Sequence, residues 1–216
     1  MPPRGVRSAT TLTSEHSPAA DRPGWNFAEL CGRICEVHPA EAASDTTASH
    51  ASAVLTAAVR LIVEAHTRGE PVAWISAGSP LFFPPDAEAN GVDLDGVVVI
   101  RLSEGRNAAV AADQLVRCGA FGLVVIDFTT VTPSIPDGIL GRLAGLARGN
   151  SVLVLFLCAS GGDHSALGSM VSLRASARSR SGVEGGFLLE IRAEKDKKRG
   201  HSWDWTEAGH GPPGLS

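Results

Sequence analysis

The sequence predicts an α/β domain with a mostly parallel, doubly wound sheet and helices on both faces. Three observations predict it. Short apolar runs alternate with amphipathic stretches along most of the 216 residues, as in chains built from strand–helix–strand units. The apolar runs are continuous rather than alternating, as in LVVIDF at 123–128 and SVLVLFLCA at 151–159. A strand covered on both faces reads this way. Gly91 and Gly119 follow amphipathic stretches, where a helix commonly closes on a left-handed residue.

The elements follow in order. Residues 1–24, rich in Ser, Thr, Pro and Ala with few large apolar groups, predict a disordered tail. Trp25 to Leu30 predicts a short helix or a docking segment. Arg33 to Val37 reads as a buried strand. From Thr46 to Thr67, Val54, Ala58, Leu61, Ile62 and Ala65 recur at helical spacing. Strands are expected over 71–76, 97–102, 122–128 and 151–159, with helices over 84–90, 107–117 and 136–148. The Gly- and Ser-rich stretch 160–171 reads as a loop. Residues 173–180 and 187–194 read as closing strands in an antiparallel extension. The expected core domain spans 25–208, with a flexible tail over 209–216. Trp203 and Trp205, close to His201, sit in a short alternation that either caps the core or forms an exposed docking edge.

Composition narrows the function. With 44% hydrophobic residues the chain can bury a substantial core. It has no run of 18 uncharged apolar residues, so no membrane span is expected. The polar start lacks an apolar signal core, and the four cysteines lack zinc-type spacing, so a reduced, cytoplasmic protein is expected. The net charge of −4 does not suit a generic nucleic-acid binder. Lysine occurs only at Lys195, Lys197 and Lys198, and tyrosine is absent. Any chemistry needing a lysine before residue 195 is therefore excluded.

The junction of the first strand and first helix is where an α/β sheet usually binds phosphate. Here it reads His38-Pro39-Ala40-Glu41-Ala42-Ala43-Ser44-Asp45-Thr46-Thr47. A working phosphate loop, GxxxxGK[ST], supplies curled backbone N–H groups, a lysine and a Mg²⁺-binding hydroxyl. Aligned on the Thr pair, this junction keeps Thr46 but has Ser44 for the glycine and Asp45 for the lysine. A lysine ~4 Å from a phosphate charge gains roughly 4 kcal/mol at an effective dielectric of ~20, and an aspartate there costs a similar amount. A compatible alternative makes Ser44 or Asp45 simply the helix N-cap.

Gly32 to Val37, the Pro-containing loop and the Thr pair resemble the approach to the ATP site of RecA. Val72 to Ile75, Asn90 to Asp95, Asp113 to Asp127, Ser172 to Arg178 and Glu190 to Lys195 resemble the RecA core in order, covering roughly residues 26–200. The phrases PVAWI, GVDLDG and GAFGLVVIDF look closer to the bacterial ImuA family, the RecA-related component of a damage-inducible mutagenesis cassette. The resemblance implies a RecA-like sheet of the P-loop NTPase type with a degenerate phosphate loop. It implies RecA, a Y-family-like polymerase subunit and an error-prone replicative-type DNA polymerase as partners, with a scaffolding role or restraint of RecA recombination.

The resemblance also shows what is missing. Where RecA carries a water-positioning glutamate after the second strand, this chain has Gly78. The adenine-stacking tyrosine cannot exist here. Asp127 is retained, an acid that helps hold Mg²⁺ in the family. Without a phosphate partner it is expected to be structural, hydrogen-bonded near Thr46 or to a backbone donor. Neither catalysis nor a nucleotide cofactor is expected. A second reading is a SulA-like inhibitor of cell division, acting on the tubulin-like division GTPase, because that group also keeps a RecA-like core without ATPase parts.

Other constellations carry less. The seven histidines show no paired metal spacing, and no GxSxG elbow is present. Asp163-His164-Ser165 lists triad residue types, but adjacent residues seldom converge as a triad. Arg174, Arg178 and Arg180 fall at even spacing, hence on one strand face. Lys195, Lys197, Lys198 and Arg199 follow. Together they predict a basic strip for weak DNA contact, or a solvated sheet edge. The stretch 160–170, in the position of a DNA-contacting loop of RecA, carries no Arg or Lys. Trp25, Phe27 and Leu30 are expected as partner-binding anchors, or else as packing on the chain's own first helix.

Overall fold

The computed structural model describes residues 24–40, 47–79, 82–160, 167–181 and 186–210, with the backbone alone at 47–51 and 210. The expected tail over 1–24 lies outside the described residues except for Gly24, as do 211–216. Eight strands form one sheet: β1 (Ile34–Pro39), β2 (Val72–Ala77), β3 (Val97–Leu102), β4 (Leu123–Phe128), β5 (Leu153–Cys158), β6 (Leu173–Ser181), β7 (Gly186–Asp196) and β8 (Trp203–His210). Their order is β3-β2-β4-β5-β1-β6-β7-β8. Strands β3 through β6 are parallel, and β7 and β8 add antiparallel. The mostly parallel α/β sheet expected from sequence is therefore present.

Helices cover both faces. On one side lie α1 (Phe27–Leu30), α2 (Thr47–Thr67) and α3 (Pro84–Ala89). Their core joins Trp25, Leu61, Ile62, Trp74, Val125 and Leu155. On the other side lie α4 (Gly105–Cys118) and α5 (Asp137–Asn150). There Ala108, Ala112 and Val116 of α4 and Leu140 and Leu143 of α5 pack on Ile75, Val124 and Phe156. The alanines let α4 sit close to the strands, and Asp113 ties α4 to α5 by accepting from Arg117 at 3.0 Å and Arg142 at 3.2 Å. Burying one such Leu or Phe side chain contributes roughly 1.5–3 kcal/mol. α4 closes on Gly119 with φ 70°, the left-handed conformation that glycine adopts without steric cost.

Two differences from the sequence reading have simple causes. The last strand is a full β8 reaching His210, so the folded unit does not end at 208. Its Trp203 side is buried while Asp204 and Thr206 face outward, and such alternation is what an edge strand with one covered face requires. β7 also runs to Asp196, two residues past the expected end. Asp196 is drawn inside because the Arg33 guanidinium donates to it at 2.5 Å and the Trp203 indole N–H at 2.9 Å. This triad ties the start of β1 to the end of β7 and the start of β8. No helix among the described residues is long and apolar enough to cross a membrane.

Candidate functional site

The carboxyl ends of the parallel strands share one edge of the sheet, and in open α/β sheets that edge is where ligands bind. β1 leaves it toward α2, the junction read as a degenerate phosphate loop. Ser44, Asp45 and Thr46 lie outside the described residues. The carboxyl ends of β2 and β4 are described.

Asp127 stands near the end of β4, beside Ser76 of β2 in register. It is 3% exposed. Its Oδ1 accepts from the backbone N–H of Thr129 at 2.9 Å and from the Thr129 hydroxyl. Oδ2, the Ser76 hydroxyl and the Trp74 indole N–H form no hydrogen bond among the described residues. Burial pushes the Asp127 carboxyl above its ordinary range, against the lowering pull of Thr129 and the nearby Trp74 indole. The acid thus caps the turn leaving β4 with one oxygen and keeps the other in a polar recess.

Gly78 follows β2. Its φ is 82°, and its N–H donates to Leu102 O at 2.9 Å. A Cβ placed there would lie 2.7 Å from Val131 Cγ1 and 3.1 Å from Thr130 Oγ1. The Thr130 hydroxyl donates to Ser79 O at 3.1 Å, holding the 129–131 turn against the end of β2. At the place where the resemblance puts a glutamate, a side chain would be strained by the backbone conformation and crowded by Val131.

The aromatic anchors expected near the N-terminus are not on the surface. Trp25 and Leu30 are 0% exposed and Phe27 is 3% exposed. The Trp25 indole donates to Ala57 O at 2.9 Å, and Glu64 accepts from the backbone N–H of Phe27 at 2.6 Å. These side chains are therefore corrected from partner anchors to core. They join the core that α2 forms with the sheet.

The basic strip is also corrected. β7 runs back along β6, so Lys195 pairs with Arg174 at the start of β6, whereas Arg180 pairs with Leu188 near its end. The six residue steps from Arg174 to Arg180 separate the two groups by ~20 Å at about 3.3 Å per residue. Within each group, carboxylates answer several of the charges. Arg178 and Arg180 both reach Glu190, the latter at 3.4 Å. Lys198 and Arg199 lie 3.3 and 3.2 Å from Glu29, and the Lys197 ammonium donates to Ser169 O. Arg174, 8% exposed, lies 3.5 Å from Glu36 and 3.4 Å from Glu194. The loop read as the counterpart of a DNA-contacting segment lies largely outside the described residues, at 161–166.

One grouping escaped the sequence reading. His38, Glu36, Arg174 and Glu194 form a polar cluster at the β1–β6–β7 junction, with His38 Nε2 3.2 Å from Glu194. The available signal was a carboxylate inside the otherwise apolar strand ICEVHP. A buried carboxylate calls for a charged or hydrogen-bonding partner.

No family model matches the chain. Curated relatives match part of it. RecA of Fusobacterium nucleatum is 40% identical over 96 residues, 44% of this chain and 23% of that protein. RecA of Corynebacterium urealyticum is 37% identical over 112 residues, 51% of this chain and 28% of that protein. RecA of Clostridium acetobutylicum is 34% identical over 96 residues. The chain spans about a quarter of the length of these relatives. The chain is thus similar to RecA over a stretch of 96 to 112 residues.

Proposed function

We propose that this chain is a non-catalytic accessory factor in SOS-induced, error-prone translesion DNA synthesis, of the ImuA type. It binds RecA and the mutagenesis polymerases, a Y-family-like subunit and an error-prone replicative-type enzyme, and it restrains RecA recombination. The partial RecA similarity supports the repair context. The observation that carries the non-catalytic reading is Gly78, whose φ of 82° and contact with Val131 disfavour a water-positioning carboxylate there. Asp45 at the lysine position and the absence of tyrosine point the same way. A protein with a RecA-like sheet and no working ATP site still presents that fold's surfaces to RecA.

The test has two arms. Calorimetry with ATP and Mg²⁺ should show no binding, and added chain should slow RecA-driven strand exchange in proportion to its concentration. Micromolar ATP affinity with Mg²⁺-dependent turnover overturns the non-catalytic reading. Strand exchange unchanged at excess chain, with no capture of RecA in a pull-down, overturns the RecA-directed role.

A further inference from the structure

Among the described residues β3 is the last strand on its side of the sheet, so one row of its backbone N–H and C=O groups has no ladder partner there. Sheets commonly protect such an edge with proline, charged side chains or a bulge. β3 reads VVVIRL, carries one charge, Arg101, near its end, has no proline, and pairs with β2 without a register shift. Val98 and Val99 are 47% and 38% exposed.

We propose that β3 pairs antiparallel with β3 of a second copy of this chain, across a two-fold axis normal to the sheet at Val99. Such an axis keeps each copy's faces on the same side, so opposed residues must share a face. Val98 and Ile100 lie beside Ala73 and Ile75, which belong to the α4–α5 core, while Val99 lies beside Trp74 of the other core. Centring on Val99 sets Val99 against Val99 and Val98 against Ile100, and keeps residues 97–101 in one ladder. Apolar and β-branched pairs facing one another stabilise a sheet.

Charge disfavours the register centred on Ile100. With the axis at Val99, Arg101 of each copy stands opposite Val97 of the other, at the end of β3 that Asp95 of the Leu94–Gly96 turn precedes. Arg101 and Asp95 are exposed, and neither takes part in an ion pair among the described residues. Centring on Ile100 would instead set Val99 against Arg101 and carry Asp95 away from it.

Sedimentation velocity of the full chain tests this. The expected result is a concentration-dependent species of twice the monomer mass. Val99→Lys abolishes it with an unchanged thermal transition. Arg101→Asp and Asp95→Arg each weaken it, and the double substitution restores it. Restoration distinguishes lost complementarity from misfolding. A cross-link gives the register. Opposed residues in an antiparallel pair have Cα atoms about 4.5–5.5 Å apart, within the roughly 4.4–6.8 Å that a disulfide spans. Val99→Cys in a Cys118→Ser background should therefore oxidise to a covalent dimer, while Val110→Cys, exposed on α4, should not. A chain that stays monomeric at every concentration overturns the proposal, as does a dimer that survives Val99→Lys or a Val99→Cys variant that fails to cross-link.

Discussion

Gly78 and Val131 are in contact so close that a methyl group on Gly78 would come within 2.7 Å of the valine Cγ1. The contact closes the end of β2 against the turn that leaves β4, beside the buried Asp127. It makes the missing glutamate more than a one-residue loss. Gly78→Glu should not create ATPase activity. It should instead destabilise the fold, because a non-glycine residue at φ 82° costs about 1–3 kcal/mol and overpacking adds about as much again. Urea unfolding measures the loss. Pairing the change with Val131→Ala should recover the packing part and leave the backbone part.

Trp25→Ala should cost about 3–5 kcal/mol, the range for truncating a buried aromatic residue. Its side chain is 0% exposed, and its indole N–H holds the Ala57 carbonyl of α2. The thermal transition should therefore fall well below that of the parent chain. A variant with an unmoved transition and weakened partner binding would instead restore the aromatic segment as a docking anchor.

That residue also marks how far the sequence could be read. Strands such as β4 and β5 are legible because each is a nearly continuous apolar run, which is how a strand covered on both faces reads. Gly78 and Asp127 are legible through the resemblance to RecA, which assigns a glutamate to the one position and an acid to the other. Trp25, Phe27 and Leu30 are not, since three apolar residues in six read alike whether they cover a partner or the chain's own helix; only the fold decides. The basic strip failed for a related reason. Arg174, Arg178 and Arg180 were placed by strand spacing alone, whereas the position of Lys195 to Arg199 depends on where the antiparallel return ends. The β1 carboxylate Glu36 was visible in the sequence, but its cation, Arg174, lies 138 residues away and only the β1–β6 pairing joins them.

Asp127 should make the chain less stable as pH rises through its folded-state pKa. Burial raises that pKa above the ordinary 3.8, so the folded state holds the proton more tightly than the unfolded chain does. Between the unfolded and the folded pKa the native state binds more protons, and stability falls with rising pH across that window before levelling. Asp127→Asn cannot titrate. The stability of the variant relative to the parent should therefore rise across the same window and stay flat above it, in urea titrations run from acid to neutral pH. A difference that does not change with pH shows that Asp127 titrates alike in both states.

Asp196 should behave in the opposite sense. Burial alone would raise its pKa, but hydrogen bonds from Trp203 and Arg33, with the nearby guanidinium charge and the Lys198 N–H, outweigh it and hold the carboxyl below 3.8. Its contribution is therefore complete above the unfolded pKa and is lost as pH falls through the folded one. Asp196→Ala should cost about 3–5 kcal/mol at neutral pH, because it leaves the Arg33 guanidinium buried without its counter-charge. Arg33→Met with Asp196→Leu should recover most of that loss, since removing both charges avoids the stranded one.

Contact with DNA should be weak and only gently salt-dependent. Each phosphate neutralised adds about 0.9 to the slope of log affinity against log salt on duplex DNA, and few cations here are free to do so. Glu190 answers Arg178 and Arg180, Glu29 answers Lys198 and Arg199, and the two groups stand at opposite edges of the sheet. One duplex backbone therefore meets one group at a time, and a slope no steeper than about −2 to −3 is expected. Glu29→Gln releases Lys198 and Arg199 together without touching the core. It should raise duplex affinity and steepen the slope, while Glu190→Gln should do so through Arg178 and Arg180. The variant that raises affinity more identifies which edge meets DNA. If neither moves the affinity while Lys195, Lys197, Lys198 and Arg199 can all be changed to Glu without effect, the cations serve the fold and its solvated edges rather than nucleic acid.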